Sequence, residues 1–352
     1  MALQSLGGMA NVFRLIREVD LAQLKTESEA PFSWLVVGEG ELPYELAEAL
    51  SMTPGQRGIH PFITVAYAGT RPSADLTRSD HDLALLCTAD AALSDNDQQW
   101  LAALNRAGIP VLTVVVGVGA LQRVGSDTAR PGEVGRVALA SLDEAQLTAR
   151  LVPTLLAALP ESRYLPLARH LPLFRPRVIN DLVEETSRAN AIYSASTSLG
   201  ELIPGLNIPF VAADMLILTK NQFIMAYKIA LAAGKSGEPK EIMGEVASVL
   251  GGGLIFRQVA RELVGLIPVI GIIPKIAVAY AGTRVIGKTA SAWAQEGVRL
   301  SGEDVRALYD EAAKRGRAVA ERLRRQERTA LPAPDNGSKP SRWQRLRDKL
   351  PF

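Results

Sequence analysis

Gly38-Glu-Gly40 is the stretch of this chain best placed to do chemistry. Two glycines between an apolar run and a helical run are where a backbone turns tightly around a phosphate. A phosphate loop reads Gly, four residues, then Gly-Lys-Ser/Thr. Its amides cradle the phosphates, its lysine neutralises them and its hydroxyl holds magnesium. With Gly38 in the first place, Pro43, Tyr44 and Glu45 stand where Gly, Lys and Ser/Thr belong. Glu39, Glu41 and Glu45 repel phosphates, and Pro43 lacks an amide donor. A dinucleotide fingerprint needs a third glycine, and Pro43 occupies that place as well. The pattern therefore points to a tight strand-to-helix turn, with no cofactor and no catalytic residue.

The other reactive side chains are scattered. Cys87 is the single cysteine, which excludes an internal disulfide and a cysteine-based zinc site and fits a reducing compartment. It lies in an apolar run and reads as a core thiol. His60, His81 and His170 are far apart in sequence and show no metal-ligand spacing, so no metal is expected. Ser33, Ser51 and Ser94 have no His–acid pattern beside them, which leaves a nucleophile to be judged in space. Asp214, Lys220 and Gln222 interrupt an apolar helical run. They read either as a polar site inside a bundle or as internal pairing between helices, the commoner case. Arg163, Arg169, Arg175 and Arg177 stand among Pro166, Pro172 and Pro176, as in a solvated linker or a patch for acidic head groups. In the tail, Trp343, Leu346 and Leu350 share a helical face ringed by Arg342, Arg345, Arg347 and Lys349. That composition suits an interfacial membrane helix, or a disordered basic tail.

These residues must be positioned by two kinds of element. Residues 32–37, 63–67, 82–88, 109–116 and 136–140 read as strands, and 44–50, 94–107 and 142–159 as helices. Ser94 is the expected N-cap of its helix, with acids in the first turn. The nearly continuous apolar strand 109–116 requires a sheet covered on both faces, so the order predicts a doubly wound parallel α/β sheet. Helices follow at 179–202, 211–233, from Pro239 to a break at Gly251-Gly-Gly253, at 254–266, 276–296 and 301–328. The resulting division is an amphipathic N-terminal helix within 1–30, an α/β domain over 31–160, a Pro/Arg-rich linker over 161–178, an apolar helical bundle over 179–297, a charged helix over 298–330 and a linker plus basic tail over 331–352. The N-terminal helix is expected over 11–20, with Val12, Leu15, Ile16 and Val19 on its stripe. Net charge is +2, so no global field steers the chain to nucleic acid, and no secretory signal opens it. Residues 263–282 carry Lys275 as their only charge, close to the length of a membrane span. Pro268, Gly271 and Pro274 bend that stretch, leaving Ile267, Ile270 and Ile273 as candidate lipid contacts. Insertion and a buried helical hairpin both stay open.

Two resemblances add to this reading. The run 82–88, the acidic helix start, then Trp100-Leu-Ala-Ala-Leu-Asn-Arg-Ala-Gly-Ile-Pro-Val-Leu resembles the third strand, helix and fourth strand of a small GTPase of the translation-factor class. Leu139-Ala-Ser-Leu-Asp143 is similar to the loop before the last helix of such domains. The guanine-reading Asn-Lys-x-Asp is replaced by Val115-Val-Gly-Val-Gly119, and no Asp-x-x-Gly follows the second or third strand. The resemblance thus implies a GTPase-like domain that has lost its nucleotide elements. In the second half, Leu202-Ile-Pro-Gly, Pro209-Phe-Val-Ala-Ala-Asp214, Gln222, Tyr227-Lys-Ile-Ala230, Gly251-Gly-Gly253, Arg257, Leu266-Ile-Pro-Val-Ile-Gly271 and Ala279-Tyr-Ala-Gly282 resemble the bacterial family of unknown function numbered six hundred and ninety-seven. That family implies a helical, membrane-associated domain, often behind a GTPase domain, and no known reaction. The expectation is a non-catalytic adaptor on the cytoplasmic side of a membrane, peripheral or integral and not secreted. Its partners would be membrane lipids and a further protein, with no specific nucleic acid and homo-oligomerisation left open. An atypical nucleotide-binding enzyme and an integral oligomer acting on the bilayer are the alternatives.

Overall fold

A computed structural model describes residues 19–52, 58–69, 71–73, 76–77, 81–117, 119, 129–198, 207–251 and 272–330. Its first half is a sheet of five strands: β1 (Trp34–Gly38), β2 (Ile63–Tyr67), β3 (Leu83–Thr88), β4 (Val111–Val116) and β5 (Gly135–Leu139). All pair in parallel, in the order β2-β1-β3-β4-β5. Alternate side chains of each central strand go to opposite faces. Trp34, Val36, Leu83, Leu85, Leu112 and Val114 point to one apolar layer, and Leu35, Val37, Ala84, Leu86 and Val111 to the other. Burial on both faces is why these strands read as unbroken apolar runs.

Helix α1 (Leu21–Ser28) precedes the sheet, with Asp20 accepting from the Gln23 amide at 2.8 Å as its cap. The amphipathic stripe expected at 11–20 falls almost wholly outside the described residues. Helix α2 (Leu42–Ser51) lays Leu46, Ala47 and Leu50 on the first face of the sheet. Helix α3 (Asp95–Arg106) lays Trp100 and Leu104 on the second. Ser94 caps α3 reciprocally with Asp97: each side chain accepts the other's amide at 3.1 Å. The helix after β5, α4, runs over 144–158 and widens to one π turn at Leu147–Leu151. Pro153 follows that turn, and a widened turn relieves the clash between a mid-helix proline ring and the preceding carbonyls.

The stretch 161–178 corrects the linker expectation. It forms a 3-10 turn, helix α5 (Tyr164–His170), a second 3-10 turn, and then the start of α6 (Arg175–Ser198). Its prolines fall in first turns, where a missing amide is tolerated. Its arginines cap carbonyls instead of facing solvent. Arg169 donates to the Leu231 and Lys235 carbonyls at 3.1 and 2.8 Å. Arg175 donates to those of Ala168 and Arg169 at 2.9 and 3.1 Å. Arg163 reaches the Pro31 carbonyl and pairs with Asp82. Only Arg177, paired with Asp181, keeps the exposed role expected of all four.

The second half continues with α7 (Asn207–Ala232), α8 (Pro239–Gly251), α9 (Ile272–Glu296) and α10 (Gly302–Ala330). Helix α9 is central, packing against α6, α7, α8 and α10. One apolar cluster runs unbroken from Trp34 and Leu83 in the sheet through Leu167 and Phe174 to Val183, Tyr227 and Val285. The two halves therefore share a core through 161–174. Among the described residues no helix is long and apolar enough to cross a membrane. Residues 263–271, with Ile267 and Ile270, lie outside them, and Ile273 falls in the first turn of α9. Trp343, Leu346, Leu350, Arg342, Arg345, Arg347 and Lys349 also lie outside the described residues.

Candidate functional site

In an open parallel sheet, ligands sit beyond the carboxyl ends of the strands where the strand order reverses. Here that point lies between β1 and β3. A crevice of about 730 Å³ opens there, lined by Glu39, Leu42, Cys87, Thr88, the loop 89–93, Ser94 and Asp97. Gly38 ends β1, and a Cβ on it would stand 2.6 Å from the Cys87 carbonyl oxygen. Gly40 has φ +66°, in the region that glycine tolerates best. Close approach to β3 accounts for one glycine and the turn into α2 for the other. Pro43 opens α2 and is buried, while Tyr44 is exposed at its first turn. Glu45 is also in that first turn, so the three positions that a phosphate loop would fill belong to an ordinary helix start.

The crevice is acidic. Glu39 Oε1 accepts from Ser94 Oγ and Asn96 Nδ2, each at 3.2 Å. The carboxylate thus sits at the amino end of α3, where a helix dipole would otherwise favour an anionic ligand. Asp97 is buried and its Oδ1 has no hydrogen-bond partner among the described residues. Burial, assisted by the charge of Glu39, raises the Asp97 carboxyl above its ordinary range against the opposing hydrogen bonds of Ser94. Burial, then the charge of Asp97, pushes the Cys87 thiol far up, so it stays an inert core thiol. The loop is held from below by Arg136 on β5, which donates to the Ala91 carbonyl at 3.0 Å. Arg136 forms an ion pair with Glu133 at 3.0 Å, the side chains being 2% and 0% exposed. Burial alone would raise the Glu133 carboxyl. Hydrogen bonds from Arg136, the Arg130 amide and Thr113, with the Arg136 charge, outweigh it and hold the group low.

Elsewhere the fold brings together residues that are distant in sequence. Ser33 Oγ lies 2.9 Å from His81 Nδ1, at the amino ends of β1 and β3. The adjacent Asp82 accepts from the Ser33 amide at 2.9 Å and pairs with Arg163. The carboxylate therefore orients the backbone and an arginine, which is not the Ser–His–acid relay of a hydrolase. His60 and His170 meet with ring centroids 5.5 Å apart, flanked by Phe32 and Phe62. Among the described residues no three His, Cys, Asp or Glu side chains could hold a metal ion.

Of the polar residues expected in the bundle, Gln222 joins an interior network. Its Nε2 donates to Thr283 Oγ1 at 3.1 Å, and Asn190 Nδ2 donates to the same oxygen at 2.9 Å. Asn221 Nδ2 donates to Asn190 Oδ1 at 2.8 Å, so the network ties α6, α7 and α9. This is internal pairing of helices. Lys220 is half-buried two residues before Gln222, and Asp214 lies earlier on α7. Asp90, Thr88 and Asp97 were not singled out by sequence reasoning. Their signal is position: Thr88 ends β3, Asp90 follows it and Asp97 lies in the first turn of α3.

No protein-family model matches the chain, and no curated protein or solved structure matches it. The resemblances to a GTPase domain and to a helical bacterial family therefore rest on the residues that carry them.

Proposed function

We propose that this chain is a non-catalytic, membrane-associated adaptor. Its GTPase-like α/β half serves as a docking scaffold, and its helical half with the basic tail brings it to the cytoplasmic face of a membrane. The observation that supports this most is Glu39 bound at the amino end of α3. A carboxylate occupies the helix amino end at this crevice that would otherwise favour an anion, and Asp97 and Asp90 line the same crevice. A nucleotide brought there would meet like charge from Glu39, Asp90 and the buried Asp97. Tyr44 and Tyr67 are exposed at the same end of the sheet and offer amphipathic contact area to a protein partner. Titrating the full chain with fluorescent guanine nucleotides tests the first half of the reading. Binding in the micromolar range would overturn it. Carbonate washing of membranes tests the second half: a docked protein is released and an inserted one stays in the pellet.

A second reading has its own observation, the unpartnered Asp97 Oδ1. A small ligand that carries an N–H or O–H donor would satisfy that oxygen, and the crevice has room for one. A panel of amines and alcohols screened by thermal shift, repeated with Asp97→Asn, separates this binding module from the scaffold.

A further inference from the structure

The cleft between α9 and α10 carries the opposite charge. Arg284 and Lys288 stand one turn apart on α9, and Arg315 lines the same hollow from α10 with Leu308 and Glu311. The hollow encloses about 240 Å³, roughly the liquid volume of eight water molecules. A second hollow of about 400 Å³ adjoins it, sharing Arg284 and Arg315 and adding Arg188, Arg322 and Glu184.

Two carboxylates answer these five cations, and both are engaged. Glu184 accepts from the Tyr280 hydroxyl at 2.7 Å, from Arg284 at 2.8 Å and from Arg188 at 2.7 Å. Glu311 pairs with Arg315 at 2.7 Å on the exposed side of α10. Lys288 is half-buried and forms no hydrogen bond or ion pair among the described residues. Burial first, then the charges of Arg284 and Arg315, hold its ammonium pKa below the ordinary value, with Glu311 opposing. Glu311, which lines the same hollow, pairs with Arg315, whereas a purely structural network would pair a carboxylate with that ammonium. An anion from outside does the same and also relieves the repulsion among its neighbours.

We propose that this cleft binds a phosphate-bearing anion, with Lys288, Arg284 and Arg315 as its ligands. Guanidinium groups fork onto phosphate oxygens and an ammonium adds a compact charge. Arg284 uses one terminal nitrogen on Glu184 and has further N–H donors to offer. Two sources carry this chemistry, a free phosphate anion and the head group of an acidic phospholipid. The inference stands apart from the acidic crevice: nucleotide binding at the sheet would leave it untouched.

The test uses the full chain at low ionic strength, where surface charges are least screened. One arm titrates inorganic pyrophosphate by calorimetry. The other sediments the protein with phosphatidylcholine vesicles, with and without phosphatidic acid. At least one arm shows binding, and Lys288→Gln and Arg315→Gln each weaken it about tenfold or more, the scale of one charge-assisted hydrogen bond. Glu311→Gln, which removes the acid beside Lys288, tightens it. Arg315 is 54% exposed, so its variant tests the idea even if Lys288→Gln misfolds. Pyrophosphate binding alone identifies a free anion, and binding to phosphatidic acid vesicles alone identifies a lipid head group. Failure of both arms, or binding unchanged in both variants, overturns the proposal; the latter result would move any vesicle binding to the basic tail.

Discussion

Thr283→Val is the sharpest probe of how the helical half holds together. Thr283 is fully buried on α9, and its Oγ1 accepts from both Asn190 Nδ2 and Gln222 Nε2 while donating to the Ala279 carbonyl. Valine keeps the shape and turns an acceptor into a methyl group. Two buried amide donors then face hydrocarbon, each left unsatisfied at about 1–3 kcal/mol. The added methyl returns up to about 1 kcal/mol of burial, so the net loss is about 1–6 kcal/mol. Thr289→Val is the matched control. Thr289 is equally buried on the same helix, but its hydroxyl only donates to the Val285 carbonyl at 2.9 Å, within one helix. That variant loses about 1 kcal/mol or less. Urea unfolding followed by circular dichroism gives both values from the shift in midpoint at constant slope. If the two variants prove equally stable, the amides do not depend on Thr283, and the assignment of Gln222 and Asn190 to a helix-joining network is wrong.

Further outcomes follow from the α/β half and from the seam. Gly38→Ala forces β1 away from β3, because the new Cβ would meet the Cys87 carbonyl oxygen at 2.6 Å; an overpacking loss of about 1–3 kcal/mol is expected in the same unfolding assay. Glu133→Gln leaves the Arg136 guanidinium buried without its counter-charge, with an expected loss of about 3–5 kcal/mol, and frees the loop over the crevice, readable as faster amide exchange at 89–93. The His60–His170 pair makes stability pH-dependent. Burial, then the charge of its neighbour, lowers His60; burial, against a hydrogen bond to the Glu29 carbonyl, lowers His170. The unfolded chain therefore binds protons at a higher pH than the folded one. Stability is greatest above about pH 6.5, the ordinary histidine value, and falls as pH drops from there through the lower folded values. Replacing both with phenylalanine should flatten the melting temperature between pH 7 and 5.5; an unchanged slope would refute the assignment.

Much of the fold was legible because it rests on local patterns. The five strands show as apolar runs, and β2 falls at 63–67 as read. The cap at Ser94 and the helix stop at Gly234, with φ +86°, are set by residues within one turn of each other. The stretch 161–178 is not legible in this way, for a related reason. Three prolines and four arginines look like a solvated linker when only composition is weighed. Whether a proline breaks a helix or opens one depends on register, and whether an arginine faces water or a carbonyl depends on what packs above it.

The crevice divides the same way. That Gly38, Pro43, Tyr44 and Glu45 depart from a phosphate loop is a statement about residue types at fixed spacing, and the linear chain decides it. That Glu39 reaches Ser94 and Asn96, that Arg136 supports Ala91, and that Arg284, Lys288 and Arg315 enclose one hollow required the chain to be folded. Capping, strand periodicity and helix periodicity act over a few residues, so the sequence determines them by itself. Charge acts through space across dozens of residues of separation, so only the tertiary structure decides which carboxylate meets which cation and which is left without one.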